Sequence, residues 1–173
     1  IATDLDGTIF KGQTLIDGVK EGLLKIINEG IEIYYTTNNS SQTPSEIKDK
    51  LEYLLQLNID ISKIITPLVI FQNLYSDDKS NIFIYGSENL KKYIKNLNMN
   101  VTSLENAELV LIGRKEENNF SEINEIIKSV SIGKNILSLN KDLTFPTEFG
   151  EKAGNGAVVK IIEDELSISI PTL

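Results

Sequence analysis

The 173-residue chain has no cysteine and no histidine, and its basic residues are outnumbered, 17 Lys and Arg against 25 Asp and Glu. Without cysteine there are no disulfides, no thiolate zinc site and no cysteine nucleophile. Without histidine the commonest general base and the commonest transition-metal ligand are missing. Acid and base work then falls to carboxylates, and a hard cation such as Mg²⁺ suits the chain better than zinc. The net charge of −8 argues against nucleic acid as a partner, because phosphate backbones are held by basic patches. No apolar run approaches the roughly 18 residues of a membrane span, and no signal-peptide pattern is present. Neither membrane insertion nor secretion is indicated, and a cytoplasmic setting is expected. With 40% hydrophobic residues, the chain can bury a core as one domain or two small ones.

What is present begins at once. Residues 1–9, IATDLDGTI, form a short apolar run that delivers Asp4 and Asp6 and then a glycine. A strand sends alternate side chains to one face, so the two carboxylates point the same way where the strand stops. At about 4 Å and an effective dielectric of roughly 20, like charges repel by about 4 kcal/mol, which calls for a bound cation, a shared proton, or both. A bare D-x-D-G is also an ordinary turn sequence. An EF-hand loop is excluded, because the glycine follows the second aspartate directly, with no third ligand position before it.

The rest of the chain alternates strands and helices. Asp17 is placed to cap a helix carrying Val19, Leu23, Ile26 and Ile27 and stopped at Gly30. A strand over 31–36 runs into the polar cluster Thr36 to Ser41. Thr43 and Glu46 then read as a capping box with Pro44 in the first helical turn, opening a helix that buries Ile47, Leu51, Leu54 and Leu55. A third strand is expected over 61–65, and Thr66-Pro67 opens a further helix to about Tyr75. The polar segment 76–80 reads as a linker. A second alternating unit follows: a strand at 81–85, a helix capped by Ser87, a strand at 109–112, a helix carrying Ile123, Ile126, Ile127 and Val130, and a strand at 136–139. A loop over 140–155 leads to a helix over 156–165, and 168–170 reads as a strand. Such alternation predicts an α/β fold with parallel sheets and a ligand site at the carboxyl ends of the strands.

The DLDGT of residues 4–8 and the Thr37-Asn38-Asn39 that ends the second strand resemble motifs I and II of the haloacid dehalogenase superfamily. The segments TTNNSS at 36–41, YGSENL at 85–90, LNKDLTFPTEFG at 139–150 and AGNGAVVKIIE at 153–163 resemble its p-nitrophenyl phosphatase and pyridoxal phosphate phosphatase branch. That resemblance implies a Rossmann-like parallel-sheet core, here partial, over 1–78 and an inserted α/β cap over 79–166. Residues 167–173 would begin the return to the core. It also implies a Mg²⁺-dependent phosphatase for small phosphate monoesters. Asp4 would be the nucleophile that forms an aspartyl-phosphate, and Asp6 the general acid and base. Asp4 and the main chain of Asp6 would hold Mg²⁺, and Thr37, Asn38 and Asn39 would bind the phosphoryl oxygens. The expected partner is a small phosphorylated substrate, with a homodimer through the cap by analogy with the family.

The chain departs from the family in two places. Family members continue with a lysine that neutralises the phosphoryl group and with further acidic residues, whereas this chain stops at Leu173. It is therefore expected to be a piece that is catalytically incomplete on its own. Gly113-Arg114-Lys115 stands where the branch commonly has an acidic residue after the glycine, which leaves the substrate open. Arg114 and Lys115 read either as cap contacts to an anionic substrate or, more simply, as a solvated charge pair. Gly154 and Gly156 read as shaping the return from cap to core, because no lysine follows them in a phosphate-loop pattern. The alternatives are a non-catalytic binding or regulatory module and another hydrolase of the superfamily, such as a phosphonatase.

Overall fold

The computed structural model describes residues 1–115, 117–147 and 150–173, so Glu148 and Phe149 of the 139–150 segment lie outside the described residues. The chain opens with β1 (Ala2–Asp4), a two-strand hairpin of β2 (Phe10–Lys11) and β3 (Thr14–Leu15), α1 (Val19–Asn28) and β4 (Tyr34–Thr36). It continues with α2 (Pro44–Leu55), a short 3-10 turn at Ile61–Lys63, β5 (Ile64–Ile65) and α3 (Pro67–Tyr75). The second run holds β6 (Asn81–Tyr85), α4 (Glu88–Asn96), β7 (Asn100–Val101), β8 (Leu109–Ile112), α5 (Phe120–Ser131) and β9 (Asn135–Ser138). A hairpin of β10 (Thr144–Thr147) and β11 (Gly150–Ala153) leads to α6 (Asn155–Leu166).

Two parallel sheets organise these elements. The first has the order β1-β4-β5 and the second β7-β6-β8-β9. In the first, Asp4 lies opposite Thr36, and Thr36 opposite Ile65. In the second, Tyr85 lies opposite Ile112, and Ile112 opposite Ser138. The strands of each sheet thus end together, and the loops that follow them share one edge.

Each sheet has its own apolar packing. Leu5, Ile9, Phe10, Leu23, Ile33, Tyr35, Ile47, Leu51, Leu55, Ile59 and Ile64 pack together around the first. Leu51 and Leu55 have no exposed surface, and burying each side chain contributes about 1.5–3 kcal/mol. The second sheet is covered on one face by α4 through Leu90 and Ile94. Its other face is covered by α5 and α6 through Ile123, Ile126, Val158, Val159 and Ile162. All four residues of β8 are buried, as a central parallel strand with helices on both faces requires. From α3, Leu68 and Phe71 pack into the second sheet's cluster, although α3 precedes the polar linker.

Several local expectations hold in detail. Thr43 caps α2 in a full capping box with Glu46 and with Pro44 in the first turn. Thr66 and Ser87 cap α3 and α4. Others need correcting. Asp17 does not cap α1: Gly18 holds that position with φ 79° and makes no side-chain capping bond, the left-handed backbone being one that glycine adopts without a Cβ clash. The strand expected at 61–65 is mostly the 3-10 turn, with the Asp60 carboxylate accepting the Ser62 N–H at 2.9 Å. The loop expected over 140–155 contains the β10–β11 hairpin. Residues 168–170 form no strand. Instead the Ile170 N–H donates to Glu163 Oε1 at 2.7 Å, and the parallel bridge comes two residues later, between Ser138 and Thr172.

Candidate active site

Asp4 is the last residue of β1, and the turn after it is tightly made. Gly7 has φ 85°, and its N–H donates to Phe10 O at 2.7 Å. The Ile9 and Phe10 N–H groups both return to Leu5 O, at 2.9 and 3.2 Å. Leu5 is buried and faces the core, so the strand alternation leaves Asp4 and Asp6 on the open side. Both line one cleft of about 240 Å³.

The same wall carries the loop after β4. The Thr37 N–H donates to Ile65 O at 3.1 Å, which extends the sheet by one residue. Thr37 Oγ1 accepts the Asn39 N–H at 3.0 Å, and a hydroxyl that accepts one hydrogen bond keeps a proton to donate. Asn39 is engaged within the loop: its Oδ1 accepts from the Ser41 N–H and hydroxyl at 2.9 and 2.7 Å, and its Nδ2 donates to Gln42 Oε1 at 3.1 Å. Asn39 therefore shapes the loop that presents Thr37 and Asn38, although it too borders the cleft.

The opposite wall comes from the second sheet. Arg114 follows β8, Asn140 and Asp142 follow β9, Thr144 begins β10, and Gly154 and Asn155 open α6. Asn140 Nδ2 ties the walls together, donating to Asn38 O at 2.6 Å and facing Ser40 Oγ at 3.4 Å. Behind it, Asn155 is 4% exposed, and its Nδ2 donates to Ile112 O, Ser138 Oγ and Asn140 O at 3.2, 2.9 and 2.9 Å. Gly154 and Gly156 let this loop close on the helix start. A Cβ at Gly154 would stand 2.2 Å from Asp142 O, and one at Gly156 would stand 2.1 Å from Lys141 O. Their place is structural, as the sequence suggested.

The electrostatics single out Asp6. Its carboxyl is raised above the usual range, first by desolvation, with the like charge of Asp4 adding to the rise. Lys50 and Arg114 oppose the shift. Lys50 reaches this position from α2, its ammonium 3.5 Å from the centre of the Phe10 ring. Burial pushes the Lys50 ammonium down, and the Asp6 charge partly restores it.

Two carboxylates on one face, the second raised first by burial and then by the charge of the first, are a donor set suited to a cation. Among the described residues no three Asp, Glu, His or Cys side chains gather to cage a metal. Mg²⁺ takes one or two carboxylates and completes its shell with water and phosphate, so the pair fits that ion.

Asp4, Asp6, Thr37, Asn38 and Asn39 are thus brought to one cleft. Sequence reasoning did not anticipate Asn140, Asp142 and Asn155, and it favoured solvent for Arg114, which instead lines the cleft. Lys115 turns away to pair with Glu122 and to lie 4.9 Å from the centre of the Tyr85 ring.

Residues 1–100 match the family model described as haloacid dehalogenase-like hydrolase. An acid sugar phosphatase of Staphylococcus haemolyticus is 32% identical over 163 residues, covering 92% of this chain and 61% of that protein. An acid sugar phosphatase of Staphylococcus aureus is 26% identical over 170 residues, covering 96% and 64%. The chain therefore spans less than two thirds of the curated relatives it matches. Among solved structures, a variant of the thermostable p-nitrophenylphosphatase of Bacillus stearothermophilus is 28% identical, with a TM-score of 0.80 over 99% of this chain and 67% of that one. The p-nitrophenyl phosphatase of Archaeoglobus fulgidus shares the fold with a TM-score of 0.89 at 21% identity, over 99% and 66%. No helix among the described residues is long and apolar enough to cross a membrane. The family match covers more than half of the chain, from the first aspartate to the edge strand of the second sheet, and on that ground the chain belongs to the haloacid dehalogenase-like hydrolases.

Proposed function

We propose that this chain is the nucleophile-bearing part of a Mg²⁺-dependent phosphatase that hydrolyses small phosphate monoesters through an aspartyl-phosphate. The observation that carries the reading is one small cleft with Asp4, Asp6, Thr37 and Asn38 on its first wall and a second parallel sheet closing its other side. The relatives named as phosphatases support it. Asp4 attacks phosphorus, dividing hydrolysis into two displacements. Asp6, whose carboxyl burial and then Asp4 raise above the usual range, gives a proton to the leaving oxygen and takes one back from water in the second step. The Thr37 hydroxyl and the Asn38 amide supply donors to the phosphoryl oxygens. The Asp4 carboxylate and the Asp6 main-chain carbonyl would hold Mg²⁺, which would supply neutralisation of charge on the phosphoryl group and between the two aspartates.

The division into a core over 1–78 and a cap over 79–166 belongs to the same proposal, as does a homodimer through the cap. The separate sheets support the division, and the Asn140–Asn38 bond is the contact a cap would make and break over its substrate. The test is p-nitrophenyl phosphate turnover by the full-length protein with and without chelator, beside Asp4→Asn and Asp6→Asn. Wild-type turnover should need Mg²⁺, fall to background in Asp4→Asn and drop by about 10²–10⁴-fold in Asp6→Asn. Turnover that survives chelation or either substitution would remove the assignment.

A further inference from the structure

Among the described residues the cleft has three acidic lining side chains, Asp4, Asp6 and Asp142, and one basic one, Arg114. Arg114 follows β8 of the second sheet, on the wall opposite the nucleophile, and its main-chain carbonyl accepts the Ser87 N–H at 2.9 Å, which fixes where the side chain starts. Its charge is felt by Asp6. If Asp4, Thr37 and Asn38 take the phosphoryl group, the group beside Asp6 is the ester oxygen it protonates. A cation on the far wall of the same cleft then meets the first few atoms of the alcohol portion. A guanidinium presents a planar fork of donors that matches a carboxylate or phosphate. An acidic cleft would otherwise repel a second anion on the substrate. With about 240 Å³ between the walls, a phosphoryl group and a short alcohol portion fit together.

Resting on the phosphatase reading above, we propose that Arg114 is a specificity-determining residue that selects short phosphate monoesters carrying a second anionic group close to the ester oxygen. Lys115 does not share this role, since it lies outside the cleft lining and faces Glu122 and the Tyr85 ring.

The test pairs substrates of one skeleton in the full-length protein with Mg²⁺: glycerol 3-phosphate against 3-phosphoglycerate for a carboxylate, and against glycerol 1,3-bisphosphate for a second phosphate. Wild type should favour one or both of the partners that carry a second anionic group, in kcat/KM, by about 10- to 100-fold, the range of a charge-assisted hydrogen bond. Arg114→Gln should erase that ratio, mainly through KM, and Arg114→Lys should restore part of it. The arm that responds tells carboxylate from phosphate. A wild type without preference, or an Arg114→Gln variant that loses all three esters and p-nitrophenyl phosphate equally, would overturn the assignment. The equal loss would mean that Arg114 serves the phosphoryl group itself. If Arg114→Gln does not fold by circular dichroism, the wild-type ratio and Arg114→Lys decide. If wild type turns over no ester at all, the phosphatase reading fails on its own. Equilibrium binding of the same pairs then decides the Arg114 assignment, which stands if wild type binds the partner with a second anionic group more tightly and Arg114→Lys narrows the gap, and falls otherwise.

Discussion

Asn155→Ala removes the amide that holds the far wall of the cleft in place, and its cost can be worked out from the hydrogen bonds. The three acceptors each keep another interaction: Ile112 O still receives the Leu139 N–H at 2.9 Å, Asn140 O still receives the Ser138 hydroxyl at 2.5 Å, and that hydroxyl still donates. None is left bare, and the amide's two protons are shared among the three, so about two bonds are lost at a net value of about 1 kcal/mol each rather than a full desolvation penalty. Asn155 Oδ1 is itself buried with no partner among the described residues, and removing it returns about 1 kcal/mol. The net loss is about 1 kcal/mol. With a urea dependence of about 2 kcal/mol per molar, the unfolding midpoint followed by circular dichroism falls by about 0.5 M. Asn155→Asp should be worse, because it turns a carboxylate toward two main-chain carbonyls that can only accept. In the same Asn155→Ala protein, p-nitrophenyl phosphate turnover should fall as the Asn140 bond to Asn38 O loosens. An unchanged midpoint, or an Asp variant as stable as wild type, would refute this reading of the network.

Three further expectations follow from the same geometry. Thr43→Ala loses the hydroxyl half of the α2 capping box while keeping the main-chain N–H that Glu46 accepts, and should lower stability by about 1 kcal/mol in urea unfolding. Asp6 is raised in the folded state, so its ionisation opposes folding: the penalty is absent below the unfolded carboxylate range and grows as pH rises through the folded value. In chelator, Asp6→Asn should therefore melt above wild type at pH 7, and the advantage should vanish at acid pH; an advantage that grows on acidification would contradict the sign. Lys50→Met removes a cation that lowers Asp6, so the alkaline limb of the pH–rate profile should move upward, and a downward shift would contradict it.

Much of the fold was legible because its signals are local. Thr43, Pro44 and Glu46 lie within one helical turn, and β6 and β8 are short apolar runs with polar flanks, so their limits could be read directly. The β10–β11 hairpin was not, since its residues between 144 and 153 are rich in Thr, Pro and Gly, the composition of a loop. The cleft divides in the same way. Asp4, Asp6, Thr37 and Asn38 sit in two short motifs at strand ends. Asn140 reaches Asn38 across 102 residues, and Asn155 is recognisable only from the carbonyls around it. Arg114 looked like a solvated charge because nothing adjacent in sequence shows that the loop after β8 lines one cleft with Asp4 and Asp6.

The central claim is that Asp4 carries the phosphoryl group, and the most direct measurement is rapid acid quench of the full-length protein during p-nitrophenyl phosphate turnover, followed by peptide mass mapping. The account predicts one added phosphoryl group on the peptide that contains Asp4, present in wild type, enriched when the second step is slowed in Asp6→Asn, and absent in Asp4→Asn. A phosphoryl group on any other residue, or full turnover with Asp4 never modified, would contradict it.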